Sequence, residues 1–395
     1  MIIGQTPCFS LKEIIKKGKI DIDVYPLNSK NCYFFFSARY AIWAGLKALG
    51  ISSEKNILMP SYNCGTEIDP FLDRKIQVKY YEVKSNFEID IDDMIRQIDM
   101  STAAILVTHY LGFPQPIDKI REICNTKKLF LIEDCAHAFL TTYQSKNVGT
   151  FGDISVFSIR KTLPIPNGGA LVINNENFKF KDRQIKSSPL STFFMAVELV
   201  KGKTQQANSS VFEMLTTMVV RSVALMNEIF KVILRILRKL LCYKGLALIH
   251  VNYYDFEREL VQWEMSTVST RILRNIDYKK LKEIRRKNYE YLLVNLPKMQ
   301  DIEVVFSSLP EGVCPLFFPL IVKDRQYYYQ KFIERGIKTH QYWQFFHDTV
   351  PWDKFPKAVF LKKHVLGLPI HQDVSFDHLD RMIEVFKDAN NANIG

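Results

Sequence analysis

The sequence predicts an α/β protein: a mostly parallel sheet sandwiched between helices, followed by a smaller C-terminal α+β domain. Three observations carry this. From about residue 33 to 175, short β-rich runs alternate with stretches of helical period, the pattern of parallel strands joined by crossover helices. A long helical stretch over 195–250 breaks that rhythm, and a new β-rich run with its own helices follows it. The 395 residues, 47% of them hydrophobic, are enough for two or three domains with a large core.

Taken in order, Tyr33–Phe36 reads as a strand and Ala41–Leu49 as a helix, and Asn56–Met59 is a strand stopped by Pro60. Val78–Tyr81, Ala103–Thr108, Leu129–Ile132 and Ile154–Phe157 are further strands, with helices at Ile89–Ile98 and Ile117–Asn125 between them. Beyond the insertion, Tyr278–Leu296 is a charged helix and Cys314–Val322 a β-rich run. Gln326–Arg335 is a helix, and Ser375 opens a closing helix over Phe376–Ala389. The expected division is a large domain over 1–250, including the basic helical insertion at 195–250, and a small domain over 251–395.

The net charge of +11 is concentrated. Residues 195–250 hold eight Lys/Arg against three Glu, nearly half of the surplus. The rest is only mildly basic, which argues against a groove for nucleic acid. Seven cysteines form an odd count with no CxxC pair, so reduced thiols are expected, with no disulfide framework and no metal site. The first residues lack an apolar core before a small-residue cleavage site, and no apolar run is long enough to span a bilayer. The expected location is the cytoplasm.

The chemistry is concentrated in Leu129–Gly169. One strand delivers Glu133 and Asp134 at its carboxyl end, with His137 three residues on, and the next delivers Ser158 and Lys161 before a Pro-rich turn closes on Gly168-Gly169. Taken singly, Asp134 reads as a helix cap, His137 as a structural histidine and Lys161 as a solvent-facing charge. An acid and a lysine at adjacent strand ends, however, are what pyridoxal 5′-phosphate requires. The amine forms a Schiff base with its aldehyde, and the carboxylate keeps its pyridine nitrogen protonated. Ser158 offers a hydroxyl to the phosphate or ring, and the glycines allow close approach of backbone. The strand running into Ser37-Ala38-Arg39 and directly into a helix offers first-turn amides to a phosphate, although Ser37 alone reads as an ordinary N-cap.

These pieces, in order, resemble the DegT/StrS family of pyridoxal-phosphate-dependent sugar aminotransferases. The matching segments are Ser37-Ala38-Arg39, Met59-Pro60-Ser61, Thr108-His109-Tyr110-Leu111-Gly112 and Glu133-Asp134-Cys135-Ala136-His137-Ala138. Gly152-Asp153, Phe157-Ser158, Lys161, Gly168-Gly169 and Leu368-Pro369-Ile370-His371 with Leu379-Asp380 follow. The resemblance implies the aspartate-aminotransferase (type I) fold with a seven-stranded sheet. It also implies Lys161 as the Schiff-base lysine and proton shuttle, Asp134 as partner of the pyridine nitrogen and His137 against the ring. Ser158 with the Ala38 and Arg39 backbone would bind phosphate. The chain departs from the family at Cys64, where members carry a stacking aromatic and the aromatic neighbour here is Tyr62. It departs also in a shorter Ser158–Lys161 turn, and in Met265–Arg271, which matches the partner-subunit loop only loosely.

The implied activity is transfer of an amino group from a donor such as glutamate to a nucleotide-linked keto-sugar in surface-glycan or related biosynthesis, by a homodimer. The alternatives are an enzyme of the same fold acting on a non-sugar substrate or carrying out dehydration, and a non-catalytic, membrane-associated relative. Because Lys161 is present, transamination is favoured. His340, Trp343, His347 and His371 fall where the small domain approaches the site, as pocket or as packing residues.

Within the insertion, Ile229–Tyr243 places Lys231, Arg235, Arg238 and Cys242 on one side and a wide apolar face on the others. Such a helix packs on its own protein or a dimer mate, or lies peripherally on the inner face of an anionic membrane. Packing is the expected outcome, in which case the wild type and a Lys231→Glu/Arg235→Glu/Arg238→Glu variant float equally with anionic liposomes. Flotation lost only in the variant would identify a membrane contact.

Overall fold

A computed structural model describes residues 3–7, 22–189, 192, 195 and 256–392. The Ile229–Tyr243 helix lies outside the described residues, as does nearly all of the 195–250 insertion. Among the described residues, no helix is long and apolar enough to cross a membrane.

The first strand, β1 (Cys32–Phe35), passes through Ser37 into helix α1 (Ala38–Ala48), which turns Tyr40, Ala41, Ile42, Ala44, Gly45 and Leu46 inward. Next come β2 (Asn56–Pro60), the short α2 (Asp69–Asp73), β3 (Gln77–Tyr81), α3 (Ile91–Arg96) and β4 (Thr102–Thr108). They are followed by α4 (Ile117–Lys127), β5 (Phe130–Asp134), the small ribbon β6 (Thr142–Tyr143) and β7 (Lys146–Asn147), then β8 (Ile154–Ser158) and β9 (Gly169–Ile173). Seven strands form one sheet in the order β1-β9-β8-β5-β4-β2-β3. Strands β3, β2, β4, β5 and β8 are parallel neighbours, and β9 runs antiparallel to both β8 and β1. Strands β2, β5, β8 and β9 are buried or nearly so along their length, as strands covered on both faces must be.

The later chain adds α5 (Thr267–Leu273), α6 (Tyr278–Asn295), β10 (Ile302–Val304), β11 (Phe317–Val322) and α7 (Arg325–Glu334). It ends with β12 (His340–Gln341), α8 (Pro356–His364), β13 (Val365–Pro369) and α9 (Phe376–Ala392). Strands β10-β11-β13-β12 make a second, fully antiparallel sheet. One apolar cluster, with Tyr289, Phe318, Leu368 and Phe386, sits between that sheet and its helices. The segment before α5 packs elsewhere: Leu260 and Trp263 join the core of the large sheet, where the Trp263 carbonyl accepts the Phe36 N–H at 2.9 Å.

Most strands expected from the sequence recur within a residue or two. The difference that matters is at β5, which continues through Asp134. Both acids therefore lie on the strand, pointing to opposite faces. Glu133 turns into the protein. Its carboxylate is wholly buried and accepts the N–H groups of Gly149 at 2.8 Å, Phe151 at 2.7 Å and Gly152. His109 Nδ1 accepts the Gln115 N–H at 3.1 Å, so the ring of this histidine donates from Nε2 to Glu133 at 3.1 Å. Glu133 thus ties β4, β5 and the turn into β8 together. Glu133→Ala would leave three buried amides and an imidazole without their acceptor, a loss of about 3–5 kcal/mol. The expected result is a sharply lower thermal midpoint, and an unchanged midpoint would contradict this bracing role.

Candidate active site

The site forms at the carboxyl edge of the large sheet because the strand register brings three strand ends side by side. Thr108 at the end of β4 pairs with Asp134 of β5, and Asp134 pairs with Val156 two residues before Ser158 ends β8. A single 3₁₀ turn over Ile159–Lys161 then brings Lys161 back to the same edge. That turn is secured from the later chain by Arg285, fully buried on α6, which donates to the carbonyls of Thr162 at 3.0 Å and Leu316 at 3.0 Å.

Strand β9 completes the edge. Gly169 pairs with Ser158 on one side and Phe35 on the other, directly below the start of α1. A Cβ on Gly169 would stand 2.3 Å from the Ser37 carbonyl carbon and 2.4 Å from the Ala38 nitrogen. Glycine is therefore what allows the N-terminus of α1 to descend to the sheet edge. Ser37 occupies the N-cap position in extended conformation but makes no capping hydrogen bond with its side chain, and it lines the cavity that results.

Eight of the residues picked out from the sequence meet in that one cavity. Ser37, Ala38, Arg39, Cys64, Asp134, His137, Ser158 and Lys161 line it. The shorter Ser158–Lys161 spacing leaves Ser158 in the wall. Of the four aromatic and histidine positions expected near the site, Trp343 lines the cavity. His340 lies behind it against Phe317 and Tyr342, His347 lies beside Asp69, and His371 is buried against the Gly4 carbonyl. Sequence reasoning missed Thr66, Glu67, Thr108 and Arg160 in the lining. Thr108 was legible as a strand end and as the start of a family-matching segment, and Glu67 only as an acid in the loop after β2.

The electrostatics follow from burial. The Asp134 carboxyl accepts the Ala136 N–H at 2.9 Å. Burial first, and then the Glu67 carboxylate, push it up from 3.8 to about 6, with Lys161 pulling in the opposite direction. Glu67 itself takes up the loop: its carboxylate accepts the Cys64 N–H at 2.9 Å and the Cys64 thiol at 2.6 Å. His137 lies 2.9 Å from the Lys161 amine through Nε2 and accepts the Leu111 N–H at Nδ1 over 3.4 Å. Burial, helped by the neighbouring amine, holds this histidine well below its usual range, so it is neutral. With Nδ1 engaged as acceptor, the neutral ring carries its proton on Nε2, facing Lys161.

The comparisons with known proteins fall on this part of the chain. The sequence profile of the DegT/DnrJ/EryC1/StrS aminotransferase family matches residues 26–219, which include every residue lining the cavity apart from Trp343. The chain belongs to the DegT/DnrJ/EryC1/StrS aminotransferase family. Among its relatives, GDP-perosamine synthase of Vibrio cholerae is 30% identical over 139 residues, 34% of this chain and 38% of that protein. GDP-4-keto-6-deoxy-D-mannose 3-dehydratase of Escherichia coli O55:H7 is 29% identical over 123 residues, 30% of this chain and 32% of that one. The chain thus spans about two fifths of the first curated relatives it matches. Among solved structures, the Helicobacter pylori aminotransferase PseC, involved in biosynthesis of pseudoaminic acid, superposes with a TM-score of 0.65 at 15% identity, covering 98% of this chain and 99% of that one. The fold is shared with that aminotransferase across nearly the whole length.

In the unliganded family member, the buried charge at Asp134 has a measurable consequence. Below pH 4 the carboxyl is protonated folded or unfolded; above pH 6 the folded chain carries a desolvated charge. Stability therefore falls as pH rises between the two values. Asp134→Asn keeps an acceptor for Ala136 and removes the charge. It should stabilise the unliganded protein at pH 7 by about 1–2 kcal/mol, read as a higher thermal midpoint, with the gain fading below pH 4. A lower midpoint at pH 7 would count against this reading of Asp134.

Proposed function

We propose that this chain is a pyridoxal-phosphate-dependent aminotransferase that moves an amino group from a donor such as glutamate to a nucleotide-linked keto-sugar in surface-glycan or related biosynthesis. The observation that carries this is the convergence of Lys161, Asp134 and His137 in one cavity beside the start of α1. The same reading makes the protein a cytoplasmic homodimer, with a large cofactor-binding domain through residue 250 and a small domain after it, and gives it no nucleic-acid partner.

The cavity fits the cofactor on its own features. The Thr108 hydroxyl is buried with no hydrogen-bond partner among the described residues, and it opens onto the cavity. Ser37 is left uncapped at the end of a helix that favours an anion. Asp134 is a buried carboxylate that makes no ion pair among the described residues. Ser37, Ser158 and the first turn of α1 would hold the phosphate, and Asp134 the pyridine nitrogen. When bound, pyridoxal phosphate supplies an aldehyde that condenses with amines and a pyridinium ring that draws electrons from the adjoining carbon.

The protein's own groups supply the rest. The Asp134 carboxylate, fixed by Ala136, would keep the cofactor's ring nitrogen protonated, and that cation would relieve the cost of burying the carboxylate. The Lys161 amine would serve as the nucleophile toward the cofactor's aldehyde and, once freed, as the base that moves a proton within the site. His137 Nε2–H, in hydrogen-bond reach of that amine, donates to it and so orients its lone pair. Because His137 is neutral, it places no positive charge beside that amine.

Purified protein should take up pyridoxal phosphate with a yellow colour, and borohydride should fix the label on the peptide containing Lys161. Lys161→Ala should fold normally, take no such label and lose amino transfer by several orders of magnitude, on the scale of removing a nucleophile and general base together. Normal turnover by this variant would overturn the assignment. A screen of nucleotide-linked 3- and 4-keto-sugars with glutamate identifies the acceptor. Loss of a hydroxyl in place of a gained amine would turn the reading to dehydration.

A further inference from the structure

One wall of the cavity comes from outside the large sheet. Trp343 follows β12, and its ring packs on Tyr62 with centroids 4.7 Å apart, on His137 at 5.3 Å and on Tyr110 at 5.8 Å. Its backbone lies at φ +52°, in the left-handed region where a bulky side chain is strained. Such a conformation persists only where the surroundings impose it.

Lys362 imposes it. This residue of α8 is fully buried, and its ammonium donates to the carbonyls of Asn63 at 2.6 Å, Phe345 at 2.7 Å and Trp343 at 3.1 Å. Those bonds use all three of its protons. Its Nζ lies 4.7 Å from the centre of the Trp352 ring, and among the described residues no carboxylate stands within ion-pairing distance of it. Burial lowers the amine to about 8, with the Glu67 carboxylate pulling the other way, so it still carries a proton at neutrality. The joined loops also meet at Gly65, whose φ of +89° and missing side chain admit the Phe345 ring; a Cβ there would stand 2.6 Å from it. Asn63 immediately precedes Cys64 of the cavity wall.

We propose that Lys362 is a positioning residue, its buried ammonium holding Trp343 in place as the aromatic wall against which cofactor and substrate are retained. A flat apolar face at that end of the cavity excludes water from Lys161 and Asp134 and strengthens the electrostatics between them. The inference rests on the reading of this cavity as a pyridoxal phosphate site.

The test titrates the full chain with pyridoxal phosphate, following tryptophan emission and visible absorption, for the wild type, Trp343→Phe and Lys362→Met. In the wild type, binding should quench emission, and Trp343→Phe should lose most of that quench. Lys362→Met should keep the wild-type far-ultraviolet spectrum, bind the cofactor roughly tenfold more weakly, the scale of one lost charged hydrogen-bonded contact, and quench less. Its KM for the keto-sugar should rise more than its kcat falls, which a merely structural lysine would not produce. Wild-type affinity and full quench in both variants would overturn the proposal. If Lys362→Met does not fold, Trp343→Phe decides alone, through affinity and quench. A wild type that takes up no pyridoxal phosphate refutes the cofactor reading itself, and the wall with it, an outcome distinct from uptake that the variants leave unchanged.

Discussion

The structure depends on a buried carboxylate kept at the end of a strand without a full set of partners. Strand β5 carries two acids in succession, and its pleat sends them to opposite faces. Glu133 goes inward and is saturated by three amides and an imidazole. Asp134 goes to the cavity and holds the Ala136 amide. The first acid stabilises the edge of the sheet so that the second can remain costly. Burying a charge this way is tolerable because its surroundings are rigid, and it creates a strong preference for a cation at that point.

The other elements of the site serve that arrangement. The register of β4, β5 and β8 aligns their ends. Gly169 lets the start of α1 approach, bringing amide dipoles that favour an anion. A cavity that prefers an anion at one end and a cation at the other, with an amine between them, is selective before any ligand contact is counted. The C-terminal part of the chain then closes it through two buried cations. Arg285 reaches the turn that carries Lys161, and Lys362 reaches the loop that carries Cys64. Both cations are solvated by backbone carbonyls, which lets each tie two loops together at once.

Several parts of this were legible in the sequence. The strand-helix alternation holds, because the strands are short apolar runs between helical periods. The cluster from Leu129 to Gly169 was legible for a related reason: consecutive strands of a parallel sheet all end at the same edge, so residues at the ends of two such runs become neighbours. The strand β9 and the pair α8–β13 were not anticipated, since β9 reverses direction after a turn and α8 has no clear helical stripe. Lys362 looks like half of an ordinary Lys-Lys pair on a solvated helix, yet it is buried while Lys363 is exposed.

The sequence by itself determined the parallel sheet, the identity of the acid, imidazole and amine at its edge, and the family to which they belong, because those features arise within short spans whose geometry is set by strand and helix period. Tertiary structure decided which of two adjacent acids faces the cavity, that Glu67 presses on Asp134, and that Trp343 and Lys362 complete the site. These depend on contacts between segments from tens to hundreds of residues apart, where burial and charge compensation are settled by packing and not by local pattern.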